Sequence, residues 1–279
     1  MNIIDYIVNY SFVRYALAAG VLISLCSSLL GVTLVLKRYS YIGDGLSHVA
    51  FGGLAIAAAL NFSNNLLIVM PLTVLVAVIL IGTDGIKSRG DSSLAMLSVT
   101  SMALGYLIFN KFPSMGGNVS GDVCTSLFGS TAILTLTTDD IKLCTVMAAI
   151  VVLFFILFYN KIFAVTFDET FAYATGVRTK VYKFIIAVIT GVVISISMRL
   201  VGSLLVSALV VFPAMASMKL FKSFKSVMIS SALIAVSVAI LGFWASISFD
   251  TPVGATIVAG DAIVYALFFL ISKIAVKRR

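Results

Sequence analysis

From Tyr15 to Leu36 the chain runs for 22 residues without a charged side chain, and from Val49 to Thr83 it does so again for 35. Inside a bilayer a backbone amide finds no water, so an apolar run is stable there only where its own N–H and C=O groups pair, which a helix does within one segment. About 20 such residues cross the hydrocarbon core. Runs of this kind recur at 15–36, 44–60, 66–84, 92–110, 143–160, 181–198, 200–218, 226–247 and 252–272. Composition agrees: 11% of the residues are charged, against about 25% in a soluble domain. The predicted fold is an all-α polytopic membrane protein of eight or nine transmembrane helices, forming one domain over residues 1–279. The count stays open at the sixth and seventh runs. Little more than Arg199 separates them, and Pro213 lies near the inner end of the seventh, so a broken or tilted helix there gives eight.

Charge sets the orientation. With nine spans the termini lie on opposite sides, and fifteen of the 19 basic residues fall on one of them, from Lys37 and Arg38 to Lys277, Arg278 and Arg279. The other side receives Arg14, Lys111, Lys142 and Arg199. Basic residues collect in cytoplasmic connections, which places the C-terminus in the cytoplasm and the N-terminus outside. The net charge of +8 then reflects topology and contact with anionic lipids, and no nucleic-acid partner is expected. Residues 1–10 lack a basic region followed by a small-residue cleavage site, so no cleavable signal peptide is expected. Cys26, Cys124 and Cys144 are odd in number and share no C-x-x-C spacing, which argues against a disulfide framework or a thiolate zinc site. Cys26, inside an apolar run, reads as packing.

One pair of ionisable residues enters these runs together. His48 is the only histidine, and Asp44 precedes it by four residues. On a helix that spacing stacks carboxylate and imidazole on one face. An ionisable pair in a membrane segment is expensive and marks a functional site. Imidazole suits zinc, iron and copper, and carboxylate suits manganese and harder ions, so the two are candidate ligands of a divalent metal. The same spacing also fits a plainer arrangement, in which Asp44 caps the helix start and His48 is a neutral, hydrogen-bonded interior residue.

Two connections stand out. The stretch from 160 to 182 opens a short helical segment with Asp168 and Glu169 and follows it with Gly176, the pattern of a capped helix lying along the membrane surface. Such a helix can press into a groove on a cytoplasmic partner or serve as an ordinary amphipathic connector. The external connection from 111 to 142, with Gly116, Gly117, Gly121, Asp122, Asp139 and Asp140, is too small for a domain but large enough for a docking surface. No G-x-x-x-x-G-K-[ST] phosphate loop and no H-E-x-x-H occurs, and a single histidine gives no support to a Ser-His-Asp triad. The chain is therefore expected to be no enzyme and to bind no cofactor permanently.

The segment Gly43-Asp44-Gly45-Leu46-Ser47-His48-Val49-Ala50 resembles the G-D-A-L-S-H-A signature of the permease subunits of metal-ion ABC importers. The likeness continues through Val201-Gly-Ser-Leu-Leu-Val-Ser-Ala-Leu-Val-Val-Phe-Pro-Ala-Met-Ala216 and ends at Thr251-Pro-Val-Gly-Ala-Thr-Ile-Val258, similar to the family's P-x-G-A-T-I-V. It implies an importer fold of the metal-ion and vitamin B12 type, in a bacterial cytoplasmic membrane. It further implies a homodimer, two copies of a separate ATP-binding subunit and an extracytoplasmic metal-binding protein, with a zinc, manganese or iron ion as transported substrate. Asp44 and His48 would hold the metal, with Ser47 and Asp261 as candidate further contacts of the pore. The segment at about 163–180 matches the family's coupling helix, with Asp168, Glu169, Phe171 and Gly176 as its coupling residues. Two departures are Gly45, where the family often has alanine, and Asp261, an acid where an apolar or small residue is expected. Four ligands, two from each copy, make a transient site for a divalent cation. Imidazoles favour zinc, carboxylates suit manganese, and ferrous iron accepts both.

Two rivals remain at this level. An ion-coupled secondary metal carrier would show inverted repeats and several intramembrane carboxylates, where only Asp44 and Asp261 qualify. A non-transporting membrane scaffold, recruiting proteins through the 160–182 connection, would leave Asp44 and His48 without a role.

Overall fold

Helices account for all the regular structure among the described residues, which in the computed structural model are 11–60, 65–82, 86–111 and 136–277; the side chains of 86–93 and 275–277 are not included. Most of the 111–142 connection, with Gly116, Gly117, Gly121, Asp122 and Cys124, lies outside them, as do residues 1–10, Arg278 and Arg279. In chain order the helices are α1 (Ser11–Leu36), α2 (Ile42–Ala59), α3 (Leu66–Gly82), α4 (Ile86–Lys111), α5 (Thr138–Leu157), α6 (Tyr159–Phe167), α7 (Glu169–Ala174), α8 (Thr179–Val201), α9 (Ser203–Leu220), α10 (Phe224–Phe249) and α11 (Val253–Lys277). Each of the nine apolar runs has its own main helix, the fifth run extending past α5 into the start of α6. Eight are long and apolar enough to cross a membrane. The ninth, α3, has 17 residues with Pro71 inside, about 26 Å at 1.5 Å per residue, short of a hydrocarbon core of ~30 Å.

The sixth and seventh runs are separate helices. Gly202 divides them with φ +90°, a conformation that costs glycine little and that L-residues rarely adopt. The count of eight long helices thus arises from the shortness of α3 and not from a merger of α8 with α9.

Helix α1 is the centre of the bundle and packs against α5, α8, α9 and α10. Ile23, Cys26, Leu30, Val32 and Leu34 along it are fully or almost fully buried. Contact with α9 is close at Gly31, where an added Cβ would fall 1.9 Å from the carbonyl oxygen of Val210. Helix α4 packs chiefly on α2, and α11 on α9 and α10. Both leave apolar residues uncovered, among them Met96, Val99 and Leu104 on α4 and Ile263, Leu267 and Leu270 on α11. Faces of that kind demand lipid or another subunit.

A tight turn leads from the core helix into α2. Arg38 adopts φ +63°, the amide of Tyr39 donates to the Leu34 carbonyl, and that of Arg38 donates to Val35. This is the Schellman arrangement, here with arginine where glycine is usual. The chain then re-enters helix at Ile42.

Candidate functional site

The first turn of α2 carries Asp44, and one turn later the imidazole of His48 lies on the same face. His48 Nε2 is 3.4 Å from Asp44 Oδ1. The second carboxyl oxygen of Asp44 accepts a hydrogen bond of 3.4 Å from the Ser98 hydroxyl on α4. No side chain caps the start of α2, so Asp44 is engaged by side chains and not as a cap, although its charge still complements the helix N-terminus. The side chains are 49% exposed for Asp44 and 15% for His48. His48 Nδ1 is buried without a hydrogen bond.

Asp44 opens into a cavity of about 460 Å³ lined by Tyr41, Asp44, Gly45, Leu94, Ser98 and Val99, among others. Gly45 belongs to this wall, where the absence of a side chain leaves room beside the carboxylate. Tyr41 and Val99 are exposed, so the cavity is open toward the outside of the single chain. Its polar groups are few: the Asp44 carboxylate and the hydroxyls of Tyr41 and Ser98, with the His48 imidazole reached through its contact with Asp44. No group of three or more His, Cys, Asp or Glu residues gathers among the described residues.

The other expected pore contacts lie differently. Ser47 is completely buried, and its hydroxyl donates to the Asp44 backbone carbonyl at 2.8 Å. Asp261, 1% exposed on α11, has neither carboxyl oxygen hydrogen-bonded among the described residues, and it does not line the Asp44 cavity. Ser98 is a site residue that sequence reasoning missed. A serine in a membrane helix carries no signal of its own, because its hydroxyl usually returns to the backbone three or four residues earlier.

The second candidate region is α6 to α8. Asp168 caps α7: its Oδ1 accepts from the Phe171 amide and from the Thr170 hydroxyl, both at 2.9 Å. The amide of Phe171 and the hydroxyl of Thr170 hold its carboxyl below the usual carboxylate range. At the other end Gly176, with φ +85°, lets the amide of Val177 reach the Ala172 carbonyl and its own reach Tyr173. A helix of only six residues is thus fixed at both ends. Ala172 is buried with Val165 and Tyr182. Phe171 and Tyr173, 64% and 73% exposed, face outward. Glu169 turns the other way, its Oε1 lying 2.5 Å from Nζ of the buried Lys183.

Residues 9–275 match the family described as the ABC 3 transport family. Among curated relatives, the manganese transport system membrane protein MntC of Halalkalibacterium halodurans is 27% identical over 96% of this chain and 90% of its own length. The high-affinity zinc uptake system membrane protein ZnuB of Haemophilus influenzae is 27% identical over 90% of this chain and 94% of its own. PsaBC of Streptococcus pneumoniae, solved in complex with a Fab, superposes with a TM-score of 0.80 at 25% identity, covering 96% of this chain and 93% of that one. A bundle of nine apolar helices, a match over nearly its whole length and relatives of the same extent lead to one statement: the chain is a multi-pass membrane protein and a member of the ABC 3 transport family.

Proposed function

We propose that this chain is the permease subunit of an ABC importer, carrying a divalent zinc, manganese or iron(II) ion through the membrane as substrate while a separate ATP-binding subunit supplies energy. Family membership sets aside the ion-coupled carrier and the scaffold. The observation that carries the reading is the Asp44–His48 pair, 3.4 Å apart at the edge of a cavity on a membrane helix. A divalent ion leaving water needs its shell replaced, and a carboxylate beside an imidazole does this without holding the ion so tightly that it cannot leave. Relatives named for manganese and for zinc are consistent with a mixed oxygen and nitrogen donor set.

One chain supplies too few donors. A second copy about a two-fold axis doubles them to two carboxylates and two imidazoles, and the open side of the cavity at Tyr41 and Val99 suits such a partner. Each copy would engage one ATP-binding subunit through the exposed face of α7, and an extracytoplasmic metal-binding protein would deliver the ion. The membrane is the bacterial cytoplasmic one, with the C-terminus inside. In support, Arg199 pairs with Asp140 at 3.5 Å, two residues assigned to the outer face, and the segment around Lys183 gathers residues assigned to the inner face.

The test is ATP-dependent Mn²⁺ and Zn²⁺ flux per permease in vesicles holding permease and ATPase at matched amounts. His48→Ala and Asp44→Asn should each lower flux by at least about 100-fold, beyond the 10–100-fold typical of losing a supporting contact. Unaltered flux in both variants would sink the proposal.

A further inference from the structure

Lys183 is a cation drawn into the protein interior: it is 5% exposed on α8, with its Nζ 2.5 Å from Glu169 Oε1 on α7. An ammonium removed from water is costly to bury unless a counter-charge accompanies it. The Glu169 side chain keeps 30% exposure, so the pair bridges from the short surface helix to the inside of the bundle. On its inner side Lys183 borders a narrow crevice with Thr33 and Leu34 of α1, Tyr39 of the α1–α2 turn and Ile186 of α8, with no space for a water-sized guest. Lys37 stands in the same wall, so two ammonium-bearing side chains gather near that turn.

From Tyr39 in the crevice wall the chain leads directly into the helix that carries the candidate metal site. The Tyr39 carbonyl accepts the Ile42 amide at 3.1 Å, and Asp44 follows in the first turn of α2. Helix α8 also packs directly on α2 and along α3. A close-packed interior passes a displacement on and does not absorb it. Helix α7 is closed at both ends, by Asp168 and by the turn at Gly176, which suits it to be displaced as a unit. Its residues divide the work: Phe171 and Tyr173 face outward, and Glu169 faces the bundle.

We propose that the Glu169–Lys183 ion pair is the strut through which a displacement of α7 reaches α8, the α1–α2 turn and the Asp44–His48 pair. This rests on the reading of the chain as an ATPase-driven permease. Neither residue touches the metal; both are positioning residues. Without the strut, α7 still meets its partner, but its motion no longer reaches α2, and hydrolysis and transport come apart.

The experiment uses the complete transporter in vesicles and reads the ions carried per ATP hydrolysed, with whichever of Mn²⁺, Zn²⁺ and Fe²⁺ the wild type transports. That ratio separates coupling from amount, because a variant that merely lowers the quantity of folded transporter lowers both terms together. Glu169→Gln and Lys183→Met should each reduce the ratio by about 10-fold, within the 5–150-fold range usual for a coupling between sites. The double variant should lose no more than the worse single one, since both remove the same interaction. Lys183→Arg, which keeps the charge, should restore most of the ratio. An unchanged ratio in Glu169→Gln overturns the proposal, as does a double variant whose losses multiply. If Lys183→Met fails to accumulate in the membrane, Glu169→Gln carries the test alone. A wild type that carries none of Mn²⁺, Zn²⁺ and Fe²⁺ would refute the transport reading, whereas a working wild type with unaffected variants would refute only the strut.

Discussion

Both carboxyl oxygens of Asp44 have a side-chain partner, and neither oxygen of Asp261 has one among the described residues. The two acids therefore stand in opposite energetic positions, although both sit in membrane helices. A buried polar group without a hydrogen bond costs about 1–3 kcal/mol by protein mutational data, and a charged one costs more. Asp261→Leu, with the same branching and number of heavy atoms but no polar ones, is expected to stabilise the protein by roughly 1–3 kcal/mol where the site accommodates the two methyl groups, measured as a rise in the midpoint of thermal unfolding in detergent. A fall of similar size, shared by the smaller Asp261→Ala, would mean that the carboxyl has a partner that these contacts do not include. Asp44 and His48 were legible in the sequence because a lone histidine with an acid four residues before it can meet that acid only on a helix, and a helix is what the apolar run requires. Ser98 was not legible. It lies 54 residues from Asp44, and most buried hydroxyls here bond their own helix, as Ser24, Ser28, Thr33 and Ser47 do.

At the level of elements, hydropathy located the helices and local chemistry set their ends. The fifth run, expected from 143, begins at Thr138 because Thr137 and Asp140 form a capping box ahead of the apolar residues. That run was also expected to continue to 160, but helix α5 ends at Leu157 and α6 starts at Tyr159, a break that aromatic residues on both sides of it do not announce. Close contact was the feature least visible in sequence. Gly31 is one glycine among 20, yet its missing side chain is what lets α1 lie against the Val210 carbonyl. Since the obstacle is backbone, it cannot rotate away as a side chain would. Gly31→Ala should force α1 and α9 apart and destabilise by about 1–3 kcal/mol or more, read from thermal unfolding of the purified permease. Gly20, with nothing within 4 Å of an added Cβ, is the matched control on the same helix and should tolerate alanine. Equal behaviour of the two variants would refute the role given to the α1–α9 contact.

For the whole molecule, the arrangement of faces determines how two copies must meet if they share the ion. The donors of one chain, Asp44 and His48, lie on α2, and the helix that covers α2 on the cavity side is α4. Val99 on α4 is 69% exposed and lines the cavity, so a partner that completes the ligand set has to approach over it. Isologous pairing about a two-fold axis brings a residue near that axis close to its own copy. A cysteine at Val99, on a background with the native cysteines removed, should therefore cross-link to its counterpart under mild oxidation in native membranes and give a band of twice the chain's mass. Disulfide formation needs Cα atoms roughly 4.4–6.8 Å apart, so the reaction reports close approach and not simply a shared membrane. Ile150 makes the comparison fair: it is 57% exposed on α5, which packs chiefly on α1, and a cysteine there should leave the chain monomeric under the same oxidant. Cross-linking at Ile150 in place of Val99 would move the two-fold axis to the far side of the bundle. The two Asp44–His48 pairs would then be too far apart to share one ion, and the four-ligand site would be ruled out.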